Sequence, residues 1–130
     1  MYVMGTEGLL QCLDAATGKQ VWAKDILEEN ETRNLTFGMC GSPLVVGDKL
    51  IVTAGAKARG RNTVIAYHKV TGKVIWKSKL EKQAYMSPML VTLAGREQLL
   101  ITGGRELAGV SLEDGGQLWG HPWRVSHDNN

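Results

Sequence analysis

Apolar and polar positions along the chain fall into short runs of four to seven residues, rich in Val, Ile, Leu and Thr and bounded by Gly, Asp or Asn. Runs of that length and composition read as β-strands rather than helices. Three of the runs end in the same phrase: Asp14-Ala-Ala-Thr17-Gly18-Lys19-Gln-Val-Trp22, His68-Lys-Val-Thr71-Gly72-Lys73-Val-Ile-Trp76 and Ser111-Leu-Glu-Asp114-Gly115-Gly116-Gln-Leu-Trp119. The tryptophans are 54 and 43 residues apart. Two further landmarks keep the same phase: Ser42-Pro43-Leu44-Val45-Val46 is echoed by Ser87-Pro88-Met89-Leu90-Val91, and Leu50-Ile51-Val52-Thr53-Ala54-Gly55 by Leu99-Leu100-Ile101-Thr102-Gly103-Gly104. A repeat at such a period marks a stack of identical supersecondary units.

The middle copy predicts four strands, at about 42–46, 49–54, 63–69 and 73–79. Gly47-Asp48 supplies a two-residue hairpin between the first pair. In the repeated phrase the glycine is expected in the left-handed conformation, and Asp14 and Thr17 are expected to hydrogen-bond the turn's own amides. Trp22 to Ser42 is 20 residues but Trp76 to Ser87 only 11, so the connection from Ala23 to Gly41 reads as a surface loop with a helical turn at Ile26-Leu27-Glu28-Glu29. A second extra stretch, Lys57 to Asn62, lies between the second and third strands. Its Lys57, Arg59 and Arg61 make a solvated basic loop, with contact to an acidic partner as the functional alternative.

Four-stranded units of about 43 residues with a recurring tryptophan point to a β-propeller. The phrase Asp-x-x-Thr-Gly-Lys-x-x-Trp resembles the tryptophan-docking repeat of the PQQ-like (pyrroloquinoline quinone, quinoprotein-alcohol-dehydrogenase-like) propellers, in the style of the BamB-like members. The resemblance covers nearly the whole chain, with His68 and Ser111 standing where the motif has Asp, and Gly116 where it has Lys. It implies an all-β fold of consecutive four-stranded antiparallel blades in an incomplete ring of about 2.75 blades. The expected division is an incomplete blade at 1–27, a connector at 28–38, full blades at 39–80 and 81–125, and the start of a next element at 126–130. It also implies that Trp22, Trp76 and Trp119 pack between neighbouring blades, near a turn glycine such as Gly72 or Gly115. The structural motif so expected is Asp14, Thr17, Gly18, Trp22, Thr71, Gly72, Trp76, Asp114, Gly115 and Trp119.

By resemblance, the first functional expectation is a non-catalytic scaffold or protein-interaction module in the periplasm or cell envelope, its ring completed by further blades or another chain. The alternative is a portion of a PQQ-dependent dehydrogenase oxidising an alcohol or sugar, which would bring PQQ and Ca²⁺. Such enzymes are expected to carry a vicinal Cys-Cys pair, whereas Cys12 and Cys40 are 28 residues apart. Those two cysteines read either as small buried hydrophobes or as a disulfide in an oxidising compartment.

Composition narrows the classes further. Fifteen Lys+Arg against 13 Asp+Glu give a formal charge of +2, without the basic bias of a nucleic-acid binder. No apolar run reaches the length of a membrane span, and the start Met1-Tyr2-Val3-Met4-Gly5 has no signal-peptide pattern. Asp128, Asn129 and Asn130 are oxygen donors of the type calcium takes, but as a terminal run they read as the opening of a loop. Met39, Cys40, Met86 and Met89 are soft ligands of the type Cu(I) takes, but their offsets from Ser-Pro mark blade packing. His68, His121 and His127 show no metal-ligand spacing; His68 reads as a turn residue and His121-Pro122-Trp123 as a cap on the last strand. Asn30 and Asn34 head glycosylation sequons.

Overall fold

A computed structural model describes residues 1–55, 63–80 and 85–123. Eleven strands and one short helix are found there. Sheet I holds β1 (Tyr2–Met4), β2 (Leu9–Leu13) and β3 (Gln20–Asp25). Sheet II holds β4 (Leu44–Val46), β5 (Lys49–Thr53), β6 (Val64–His68) and β7 (Val74–Ser78). Sheet III holds β8 (Met89–Leu93), β9 (Arg96–Thr102), β10 (Glu106–Val110) and β11 (Gln117–Pro122). Each is an antiparallel meander in chain order, and the sheets do not close into a ring. The architecture is a partial propeller of about three blades.

The strands of sheet II start and stop slightly inside their sequence limits. Pro43 has no N–H for the ladder, and the Ser42 N–H is drawn sideways to Ser87 Oγ at 2.8 Å, so β4 begins at Leu44. Both tight hairpins use left-handed residues. Gly47 has φ +57 between Val46 and Lys49, while Ala94 and Gly95 have φ +49 and +76 between Leu93 and Arg96. A pair of positive φ values is the type I′ turn that matches strand twist, and Ala94 adopts it despite its Cβ.

Two apolar layers lie between the sheets. Leu10, Leu50, Val52, Ile65 and Tyr67 fill the space between sheets I and II. Ile51, Val64, Ala66, Trp76, Leu99, Ile101, Ala108 and Val110 fill that between sheets II and III. Sheet II therefore buries both faces, and its β6 is apolar at four successive positions, Val64 to Tyr67. The long connection departs from the surface loop expected of it. Its helical turn, α1 (Ile26–Glu29), is capped by the Asp25 carboxylate accepting from the Leu27 and Glu28 N–H groups at 3.0 and 2.9 Å. Beyond it, Leu35 and Met39 enter the first apolar layer beside Ile26. Sheet I has only three strands among the described residues, and these three side chains of the connection add to the layer between it and sheet II. Its carboxylates stay outside that layer, Glu29 pairing with Lys24 at 2.9 Å.

Candidate functional site

The repeated phrase builds one turn three times. The N–H of the first residue bonds the carbonyl five residues on: Asp14 to Lys19 at 2.8 Å, His68 to Lys73 at 2.7 Å and Ser111 to Gly116 at 2.8 Å. The glycine N–H returns to the first residue's carbonyl, at 2.9, 2.8 and 3.1 Å for Gly18, Gly72 and Gly115. The three glycines have φ +69, +67 and +74, a region other residues enter only with strain. What varies is the side chain that satisfies the free amides. Asp14 Oδ1 accepts from the Thr17 N–H at 2.8 Å and the Thr17 hydroxyl at 2.8 Å. His68 Nδ1 accepts from the Thr71 N–H at 3.3 Å, and Ser111 Oγ accepts from the Glu113 N–H at 3.2 Å. In the third turn Asp114 takes up a different amide, that of Gly116, at 3.0 Å. These hydrogen bonds favour the carboxylate form, so Asp14 (chiefly through the Thr17 hydroxyl) and Asp114 (chiefly through the Gly116 N–H) are held below the usual carboxylate range.

Directly before each tryptophan the ladder slips by one residue, between Cys12 and Leu13, Ala66 and Tyr67, and Gly109 and Val110. The bulge leaves Val21, Ile75 and Leu118 without a cross-strand partner. Bulges re-aim the following side chain. Two of the three indoles that follow the bulges reach the neighbouring sheet. Trp22 of sheet I donates its ring N–H to the Lys69 carbonyl of sheet II at 3.3 Å, and lies so close to Gly72 that a Cβ there would meet the ring at 3.0 Å. Trp76 of sheet II donates to the Leu112 carbonyl of sheet III at 3.1 Å, and a Cβ on Gly115 would stand 2.5 Å from its ring. Tyr2 Oη joins the first joint, donating to the same Lys69 carbonyl at 3.0 Å. Trp119 differs: its N–H goes to Gln98 Oε1 of its own sheet at 2.6 Å, over Gly109.

Sequence reasoning did not single out Lys69, Leu112 or Gln98. The first two act through backbone carbonyls, so their identity carries no signal. Gln98, at 4% exposure, could have been found only as a polar residue inside an apolar strand.

Other candidates are not gathered. Cys12 is buried in β2 opposite Tyr2 and Trp22, Cys40 is exposed in the connection, and both are free thiols. Met39 is buried in the first apolar layer, whereas Met86 and Met89 are exposed. His121 does not cap β11 but lies within it, followed by Pro122; β11 is an edge strand, where a proline costs no ladder bond. Asn30 is buried, its amide donating to the Ile26 carbonyl at 2.8 Å, so it is not available to a glycosyl donor. Asn34 donates to the Thr6 carbonyl at 3.0 Å. Lys57, Arg59, Arg61, His127, Asp128, Asn129 and Asn130 lie outside the described residues. Among the described residues no three of His, Cys, Asp or Glu converge on a metal-sized position. Among the described residues, the oxygen donors that a quinone with calcium would need do not come together.

The profile of the family described as outer membrane protein assembly factor BamB matches residues 1–130. Among curated proteins, a quinohemoprotein alcohol dehydrogenase of Pseudomonas putida is 36% identical over 78 residues, which is 59% of this chain and 11% of the relative. One from Comamonas testosteroni is 37% identical over 78 residues, again 59% of this chain and 11% of the relative. The match thus spans about a tenth of the length of these relatives. Among solved structures, BamB from Moraxella catarrhalis superposes with a TM-score of 0.62 at 21% identity, covering 95% of this chain and 34% of that one. A europium-containing methanol dehydrogenase superposes with a TM-score of 0.68 at 15% identity, covering 93% and 22%.

Proposed function

Because the chain belongs to the PQQ-like β-propeller family described as outer membrane protein assembly factor BamB, we propose that these residues are the blade framework of a quinoprotein-type propeller oxidising an alcohol. The observation that carries the reading is the sequence match to quinohemoprotein alcohol dehydrogenases, 36% and 37% over 78 residues. In this reading the arc supplies walls, not reacting groups. Its strong interactions are the indole joints between sheets, which hold blades at a fixed angle. A rigid wall of that kind positions whatever the completed ring binds on its axis. PQQ and Ca²⁺, when bound, would supply the redox chemistry, on ligands from other blades.

A second reading rests on a different observation, the family profile matching all of residues 1–130. It makes the propeller a non-catalytic scaffold of the cell envelope that presents its loops, Lys57, Arg59 and Arg61 among them, to a protein partner. Fold alone does not separate the two, since one scaffold hosts many functions.

Reconstitution of the full-length protein with PQQ and Ca²⁺ distinguishes them. The dehydrogenase reading expects stoichiometric PQQ retention on dialysis and dye-linked oxidation of a primary alcohol. A ring that retains no PQQ overturns it and leaves the scaffold reading. Turnover with alcohol overturns the scaffold.

A further inference from the structure

The turn of sheet II departs from the repeated phrase at one residue: His68 stands where sheet I has Asp14. The Asp14 carboxylate accepts from the Ala16 and Thr17 N–H groups and from the Thr17 hydroxyl, at 3.1, 2.8 and 2.8 Å. In sheet II one ring nitrogen takes that place. His68 Nδ1 accepts from the Thr71 N–H at 3.3 Å and lies 3.2 Å from the Thr71 hydroxyl, whose oxygen accepts from the Lys73 N–H at 3.4 Å. An imidazole nitrogen accepts from an amide only while it carries no proton. The hydrogen-bond geometry therefore assigns the turn a neutral ring, protonated on Nε2 alone.

Sheet I rests on the same few residues. The Lys69 carbonyl receives the Trp22 indole N–H and the Tyr2 hydroxyl, at 3.3 and 3.0 Å, and the Trp22 ring lies on Gly72. Thr71 stands between those two points. The bonds at the base of the turn, from the His68 N–H to the Lys73 carbonyl and from the Gly72 N–H to the His68 carbonyl, do not involve the ring. The imidazole thus fixes the apex, next to the glycine on which Trp22 lies.

Charged groups surround His68 on several elements. Lys49 is its cross-strand partner on β5, and Asp48, in the β4–β5 turn, pairs with Lys49 at 3.0 Å. Lys69 and Lys73 belong to its own turn, and Lys69 Nζ donates to the Gly47 carbonyl at 2.7 Å. From sheet I, Lys24 leans on Gly72 and pairs with Glu29 at 2.9 Å. The turn of sheet III carries Glu113 and Asp114, the latter accepting from the Gly116 N–H at 3.0 Å. A proton on His68 adds positive charge among Lys49, Lys69 and Lys73, with Asp48 as the opposing carboxylate.

We propose that His68 makes the joint between sheets I and II responsive to pH: a proton taken from solvent onto Nδ1 turns the acceptor into a donor, releases the Thr71 N–H and loosens the seat of Trp22. The Thr71 hydroxyl can rotate to receive the new N–H, but the Thr71 amide hydrogen has a fixed direction and loses its partner. Imidazole is the side chain whose ordinary charge change lies between pH 5 and 8. The corresponding acceptors in the other two turns, the Asp14 carboxylate and the Ser111 hydroxyl, keep their form over that range. The response is therefore confined to one joint, and it does not depend on whether the propeller carries a cofactor.

Fluorine NMR on the full-length protein carrying 5-fluorotryptophan tests it. The Trp22 resonance, identified by its loss in Trp22→Phe, is expected to shift between pH 8 and pH 5, while that of Trp76, identified through Trp76→Phe, stays in place. In His68→Asp, which copies Asp14, and in His68→Asn, whose amide oxygen accepts at any pH, the Trp22 resonance is expected to hold one position over the same range. Either variant suffices if the other fails to fold. A native Trp22 resonance that does not move overturns the proposal. So does one that moves as far in a folded variant, since another group, His121 or His127 among them, is then the source.

Discussion

At the residue scale the molecule turns on its tryptophans. Trp76 is 7% exposed, sits on Gly115 and donates to Leu112. Truncating a buried Trp removes a large apolar surface and leaves a cavity, typically about 3–5 kcal/mol. Trp76→Ala is expected to lower stability by that amount in urea unfolding, while Trp76→Phe, which keeps most of the ring, should lose about 1 kcal/mol from the missing hydrogen bond. An equal loss for both would deny the ring its packing role. The turn acids give a second expectation. Asp14 and Asp114 titrate below their ordinary value of 3.8 in the folded chain. A depressed carboxylate contributes stability above the unfolded value and loses it as pH falls through the folded one. Melting temperature should therefore drop as pH falls below about 4, and the double variant Asp14→Asn, Asp114→Asn should show a shallower drop. Both groups are exposed, so solvent screening keeps the effect modest.

At the scale of elements, the sequence legibly gives the strand order and the turns, because both depend on local chemistry. Gly47-Asp48 sets one hairpin and the Thr-Gly phrase sets the turn before each fourth strand. The bulge before each tryptophan was not legible. Val21, Ile75 and Leu118 look like ordinary strand residues, and only the register shows that each is extra. The long connection shows the same limit. Its extra length predicts a surface loop with a helical turn, and says nothing of Ile26, Leu35 and Met39, which reach inward from an irregular path. No periodicity announces a core residue in a loop. Ala94 offers a test at this scale. A left-handed Ala costs roughly 1–2 kcal/mol relative to a relaxed one, so Ala94→Gly is expected to raise stability by up to about 1 kcal/mol once chain entropy is counted. A fall in the urea midpoint would show that the β8–β9 turn is not strained at this residue.

At the scale of the whole molecule, the three sheets form an arc with one fully sandwiched member. Sheet II has apolar layers on both faces, whereas sheets I and III each have one. Among the described residues, that asymmetry leaves Gly18 and Trp119 without contacts from another sheet's turn or indole. The joints between sheets are framework, and among the described residues no three of His, Cys, Asp or Glu converge on a metal-sized position. The fold and the repeat phrase leave the function open, since one scaffold hosts many functions, while the identity shared with alcohol dehydrogenases extends over 78 residues.

The sequence by itself determined the repeat, the four-stranded unit and the turn. These rest on interactions within some ten residues of chain, and Asp, Thr, Gly and Trp at fixed offsets carry them. Only the tertiary structure decided what the tryptophans touch. Their acceptors, the carbonyls of Lys69 and Leu112, are 47 and 36 residues away and belong to the backbone, which every residue shares. An interaction whose partner has no side-chain identity leaves no mark in a sequence.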